Sequence, residues 1–76
     1  MAKETVVTRL KAERLRRGWT QTELSHRTGV SYSDISKFER RRAIPYPSQA
    51  KRLGQHLRLG PDALQELVQL DVADVA

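Results

Sequence analysis

The stretch from Thr20 to Glu39 reads Thr-Gln-Thr-Glu-Leu-Ser-His-Arg-Thr-Gly-Val-Ser-Tyr-Ser-Asp-Ile-Ser-Lys-Phe-Glu and leaves the chain little freedom in how it folds. Thr20 with Glu23 three residues later is a capping box, which fixes the start of a helix. Gly29 suits a left-handed turn at that helix's end. Ser31 then caps a second helix, with Asp34 as a shorter substitute for the usual glutamate. Two short helices joined by a tight turn result. Leu24 is the apolar residue inside the first, and Ile35 and Phe38 sit at i, i+3 spacing on the second. Tyr32, Ser33, Ser36 and Lys37 fall largely off that apolar stripe. A second helix with an outward face of hydroxyl and ammonium donors is what reading base edges in a major groove requires.

A chain of 76 residues holds one domain with a modest core. It has no cysteine, so neither a disulfide nor a thiolate metal site can staple it. His26 and His56 are too few for a histidine metal site unless carboxylates join them, and His26, mid-helix beside Arg27, reads as a surface residue. Charge is distributed unevenly: residues 1–60 carry all 14 Lys and Arg against five acids, and residues 61–76 carry four acids and no base. A basic body with an acidic end suits a nucleic-acid binder whose last segment faces away from phosphate, although a basic amphipathic helix also meets membrane surfaces. Val6-Val7 is too short an apolar run to span a membrane, and the first residues lack the apolar stretch of a signal peptide, so a cytoplasmic address is expected.

Along the rest of the chain, residues 1–5 read as a flexible N-terminus. A first helix is expected from Val6 to Arg17, capped by Thr5 and ended by Gly18. The third helix should run to Arg41. Ala43 to Pro47 reads as an extended connector, because each proline disfavours helix in the residue before it. Ser48 should cap a fourth helix over residues 49–57. A fifth, over residues 61–70, has Pro61 at its first position. Residues 71–76 form an acidic-apolar tail that can prolong the helix, pair across a dimer or fray. No segment reads as a strand. Trp19, Leu24, Val30, Ile35, Phe38, Leu53, Leu57 and Leu64 are the expected core. The expectation is an all-α, compact five-helix bundle over residues 6–70.

Catalytic signatures are missing. There is no cysteine nucleophile, glycine-rich phosphate loop or Gly-x-Ser-x-Gly elbow, so no enzyme is expected. No cofactor, metal or small-molecule ligand is indicated.

Gln21, Glu23-Leu24, Gly29-Val30-Ser31, Ile35-Ser36 and Phe38-Glu39, in that order and spacing, resemble the helix-turn-helix of the phage repressor and Cro family, often called the XRE family. Leu10, Arg14 and Gly18-Trp19 fit that family's first helix and turn. Leu53, Leu57, Leu59, Leu64 and Leu67 fit its fourth and fifth helices. The resemblance covers Val6 to Val68 and implies a lambda-repressor-like fold that binds double-stranded DNA. It places Ser31, Tyr32, Ser33, Ser36 and Lys37 at base edges. It assigns Gln21 to the DNA backbone, with free amides at the helix start beside Thr20. It pairs Arg14 with Glu39 as a structural ion pair that orients the third helix. Arg41 stands where the family usually has glycine, so a longer or differently shaped turn is expected there. The best-known members carry glutamine at two of the base-reading positions, where this chain has Tyr32 and Lys37, so the target sequence does not carry over.

Arg40, Arg41 and Arg42 directly follow the recognition helix and are expected to grip phosphate. Lys3, Arg9, Arg16 and Arg17 add flanking contacts in this reading, as do Lys51 and Arg52. Family members usually dimerise, and Leu64, Leu67, Val68 and Leu70 are the expected homodimer interface; closure of the monomer core is the competing reading of that stripe. The expected function is sequence-specific transcriptional regulation, with repression favoured because a bare domain blocks polymerase by occupying its site. The alternative is an antitoxin or accessory interaction module that uses the same fold to hold a protein partner.

Overall fold

Five short helices enclose one core in the computed structural model, and a pair of strands brings the two ends of the chain together. The structure describes residues 3–60 and 62–75, with side chains placed over 5–60 and 62–71. In chain order the elements are β1 (Lys3–Thr8), α1 (Arg9–Arg16), α2 (Gln21–Thr28), α3 (Tyr32–Glu39), α4 (Pro47–Leu57), α5 (Ala63–Val68) and β2 (Leu70–Val75). The Cα radius of gyration is 11.3 Å, which matches the value of about 11 Å expected for a well-packed domain of this length. Among the described residues no helix is long and apolar enough to cross a membrane.

Leu10, Leu24, Val30, Ile35, Phe38, Ala50, Leu53, Leu57 and Leu67 form the buried cluster, so every helix contributes to one core. Trp19, Ala43, Leu59 and Leu64 pack against it. Trp19 and Leu64 are therefore partly buried members of the expected core. Leu67 is only 1% exposed, which removes it from the expected dimer interface. The reason is geometric: α5 lies against α4 and α1, and its apolar side closes the monomer.

The strands correct the expectation that no segment is a strand. β1 and β2 pair antiparallel, with Lys3 opposite Val75, Val6 opposite Val72 and Thr8 opposite Leu70. Residues 3–5, expected to be flexible, and 71–75, expected to be a tail, lie in this ladder; Met1, Ala2 and Ala76 fall outside the described residues. Val6 and Val7 are β-branched and stiff at χ1, which suits a strand once a partner is present. Helix α1 consequently starts at Arg9 and not Val6. Its cap is Thr8, whose hydroxyl accepts from the Lys11 amide at 3.1 Å.

Two further boundaries shift. Helix α4 begins at Pro47, one turn position ahead of the expected Ser48 cap, with the Gln49 side chain accepting from the Tyr46 amide at 2.9 Å. Proline fits there because its missing N–H would have had no helical partner. Helix α5 covers only Ala63–Val68, shorter than expected at both ends; Pro61 lies outside the described residues. Where α4 and α5 meet, a methyl added at Gly54 would stand 2.6 Å from the Ala63 Cβ, so glycine is what lets the helices approach.

Candidate nucleic-acid interface

The α2–turn–α3 unit is fixed at each corner by a local hydrogen bond. The Thr20 hydroxyl accepts from the Glu23 amide at 3.0 Å, and the Glu23 carboxylate accepts from the Thr20 amide at 3.3 Å, completing the capping box. Gly29 adopts φ 75°, and its amide donates to the Ser25 carbonyl at 2.9 Å. The Thr28 hydroxyl donates to the Leu24 carbonyl and accepts from the Val30 amide, which carries the turn through a buried position without stranding a polar group. The Ser31 hydroxyl then accepts from the Asp34 amide at 3.1 Å and starts α3.

Helix α3 is held from both ends by side chains. Arg14 on α1 makes a two-pronged contact with Glu39, Nε to Oε2 at 2.7 Å and Nη2 to Oε1 at 2.9 Å. Its remaining Nη1 donates to the Trp19 carbonyl at 2.8 Å. The two side chains are 8% and 3% exposed. Gln21 joins the same carboxylate, Nε2 to Oε1 at 3.1 Å. One carboxylate thus ties α3 to α1 and α2. At the other end, Gln49 on α4 donates to Asp34 at 2.9 Å. Sequence reasoning missed the Gln21–Glu39 and Gln49–Asp34 bonds, because a glutamine carries no pattern that names its partner.

Between these anchors, Ser31, Tyr32, Ser33 and Lys37 are exposed together on the first turns of α3. Ser36, expected beside them, is only 9% exposed and is removed from the open face. Its position next to Ile35, on the edge of the stripe that enters the core, accounts for this. Gln21, expected at the DNA backbone, is half-buried with its amide turned to Glu39.

Arg40, Arg41 and Arg42 are exposed directly after α3. The turn they form is neither longer nor differently shaped than a glycine turn. The Arg41 amide donates to the Phe38 carbonyl at 3.1 Å and the Arg42 amide to the Lys37 carbonyl at 2.9 Å. These are the two bonds of a Schellman motif, which demands a left-handed residue in the place Arg41 occupies. Arg41 accordingly sits at φ 59°.

Other cations expected to flank DNA are committed elsewhere. Glu13 accepts from Arg9 at 3.0 Å, Arg16 at 2.7 Å and Arg17 at 3.1 Å. Arg16 and Arg9 also reach Asp71 on β2 at 3.3 and 3.6 Å, and Arg17 donates to the Leu57 carbonyl at 2.8 Å. Burial alone would raise the Glu13 carboxyl, but hydrogen bonds from Arg17 and Arg9 and the charges of Arg16 and Arg9 outweigh it and hold it below the usual range. Lys51 and Arg52 remain exposed on α4. Arg27 lies over the Trp19 ring at 4.4 Å, a cation–π contact that covers the core tryptophan from α2. The connector after the arginines displays Ile44 and Tyr46 to solvent, which alternation around Pro45 could have suggested. Among the described residues no group of His, Cys, Asp or Glu could hold a metal ion.

A family model described as a helix-turn-helix domain matches residues 6–67. Neither a curated protein nor a solved structure gives a significant match.

Proposed function

Since the chain belongs to the helix-turn-helix domain family, we propose that it is a sequence-specific double-stranded DNA-binding regulator of transcription, acting as a repressor in pairs. The observation that carries this reading is the placement of Ser31, Tyr32, Ser33 and Lys37 on the open start of a helix anchored at Asp34 and Glu39. Lys37 is suited to guanine acceptors, serine hydroxyls donate or accept, and the Tyr32 ring suits a thymine methyl or its hydroxyl a phosphate. Arg40, Arg41 and Arg42 then grip phosphate where the helix leaves the groove, with Lys51 and Arg52 as further cations. The free amides at the start of α2, beside Thr20, suit one more phosphate. Each phosphate neutralised releases counterions and steepens the salt dependence, with a slope of about −0.9 per contact.

One recognition helix reads half of a typical site, so two copies bound one helical turn apart complete it. A second reading, an accessory module that holds a protein partner, is favoured by the exposed Ile44 and Tyr46.

Titration of a fluorescent random-sequence duplex at low and moderate salt, with wild type and Lys37→Ala, tests the proposal. Binding with a steep salt slope is expected, followed by selection of a preferred site on which Lys37→Ala loses about 1–3 kcal/mol of discrimination. Failure of wild type to bind at low salt would refute DNA recognition and make the protein-partner reading the leading one.

A further inference from the structure

In a two-stranded sheet each strand keeps one edge unpaired, which is a template for another strand. Residues 5–8 of β1 read Thr-Val-Val-Thr, four β-branched residues with no charge or proline among them. That composition favours strand pairing. Val6 is 63% exposed, and Leu70, which opposes Thr8 and so lies on the same face as Val6, is 55% exposed. β2 is the poorer edge for self-pairing. It carries Asp71 and Asp74, so two copies paired antiparallel would crowd four carboxylates along one junction, and like charges across strands are destabilising. Asp71 is also engaged by Arg9 and Arg16. β1 carries one Lys and one Glu, Lys3 and Glu4, whose charges cancel. On α5, Leu67 lies in the monomer core and Leu64 packs against it, which leaves Val68 as the exposed α5 residue of the expected interface.

We propose that the free edge of β1 docks a second copy of this chain. The two β1 strands pair antiparallel about a two-fold axis, giving a four-stranded sheet of order β2-β1-β1-β2 in which Val6 is covered. Such a contact is isologous, the same patch on both copies, and it closes without leaving a further template at the junction. Four strands also form a more stable unit than two. The inference rests on the paired reading given under Proposed function and assigns the surface that makes the pair.

Val6→Lys tests it, because an exposed valine can be replaced without disturbing the folded monomer while two lysines at the junction repel. Sedimentation equilibrium should give twice 8.7 kDa for wild type and 8.7 kDa for Val6→Lys, with unchanged far-UV circular dichroism. Val68→Lys, on exposed α5 surface, should remain a dimer. In wild type, amide exchange over residues 5–8 should slow as protein concentration rises, a readout that stands even if Val6→Lys fails to fold. A dimeric Val6→Lys, or exchange independent of concentration in a dimeric wild type, would overturn the β1 assignment while leaving the paired reading intact. A wild type that is monomeric both free and on its selected DNA site would overturn both.

Discussion

Replacing Arg14 by alanine removes two bonds to Glu39 and one to the Trp19 carbonyl. Glu39 is left with a side chain only 3% exposed and with Gln21 as its remaining side-chain partner, at 3.1 Å. Stranding one member of a buried pair typically costs roughly 3–5 kcal/mol, even where the intact pair contributes little net stability. A domain of this length has a total stability of roughly 4–11 kcal/mol. At about 4–8 °C per kcal/mol, the melting temperature of Arg14→Ala should fall by at least about 12 °C. Arg16→Ala is the control. It removes bonds to the same class of partner, Glu13 and Asp71, but from an exposed guanidinium, and should melt close to wild type. Thermal melts followed by circular dichroism at neutral pH decide the matter. Replacing Arg14 and Glu39 together by methionine should cost less than the sum of the two single changes, since neither charge is then left buried alone. Equal melting temperatures for Arg14→Ala and Arg16→Ala would refute the reasoning, as would strict additivity in the double variant.

Gly54→Ala should destabilise by about 1–3 kcal/mol, because the new methyl would lie 2.6 Å from the Ala63 Cβ; a chemical-denaturation midpoint unchanged from wild type would contradict the close α4–α5 approach. Arg41→Gly should act in opposite directions on two assays. Relief of the left-handed strain should raise stability by about 1 kcal/mol, while loss of the proposed phosphate contact should weaken binding to all duplexes and shallow the salt slope by about one. For pH dependence, a carboxyl depressed in the folded state contributes stability fully above the usual glutamate range, about 4.3, and loses it as pH falls through the lower folded value. Glu13 is such a group. Glu13→Gln should therefore narrow the gap in melting temperature between pH 7 and pH 3, and an unchanged gap would show that Glu13 does not contribute to acid sensitivity.

The parts of the fold written in local chemistry were legible. Thr20 with Glu23, Gly29 and Ser31 with Asp34 each act within four residues, and each stands where its pattern indicates. The solvent-exposed face of α3 was legible for the same reason, except at Ser36, where a helical stripe has an edge that spacing alone does not locate. The strands were not legible. Val6 and Val7 are compatible with helix or strand, and the choice is made by residues 70–75 at the other end of the chain. Leu64 and Leu67 presented a similar ambiguity, since an apolar stripe looks alike whether it meets its own core or a second copy. Arg41 shows backbone geometry overruling residue preference: the two hydrogen bonds that close α3 impose a left-handed residue even on an arginine.

The Glu39 clamp divides α3 into a half that is held and a half that is free to vary. Arg14 and Gln21 grip the carboxylate at its C-terminal end, while Tyr32, Ser33 and Lys37 stand outside the buried cluster. A change at these three positions touches neither the core nor the clamp, so under the proposed DNA-reading role it alters target preference at little cost to the scaffold. The protein is in this respect a ready frame for a combinatorial library: variants at 32, 33 and 37 can be screened for new sites on an unchanging fold. Under the same proposed role, lineages drift toward new targets without first acquiring compensating stability.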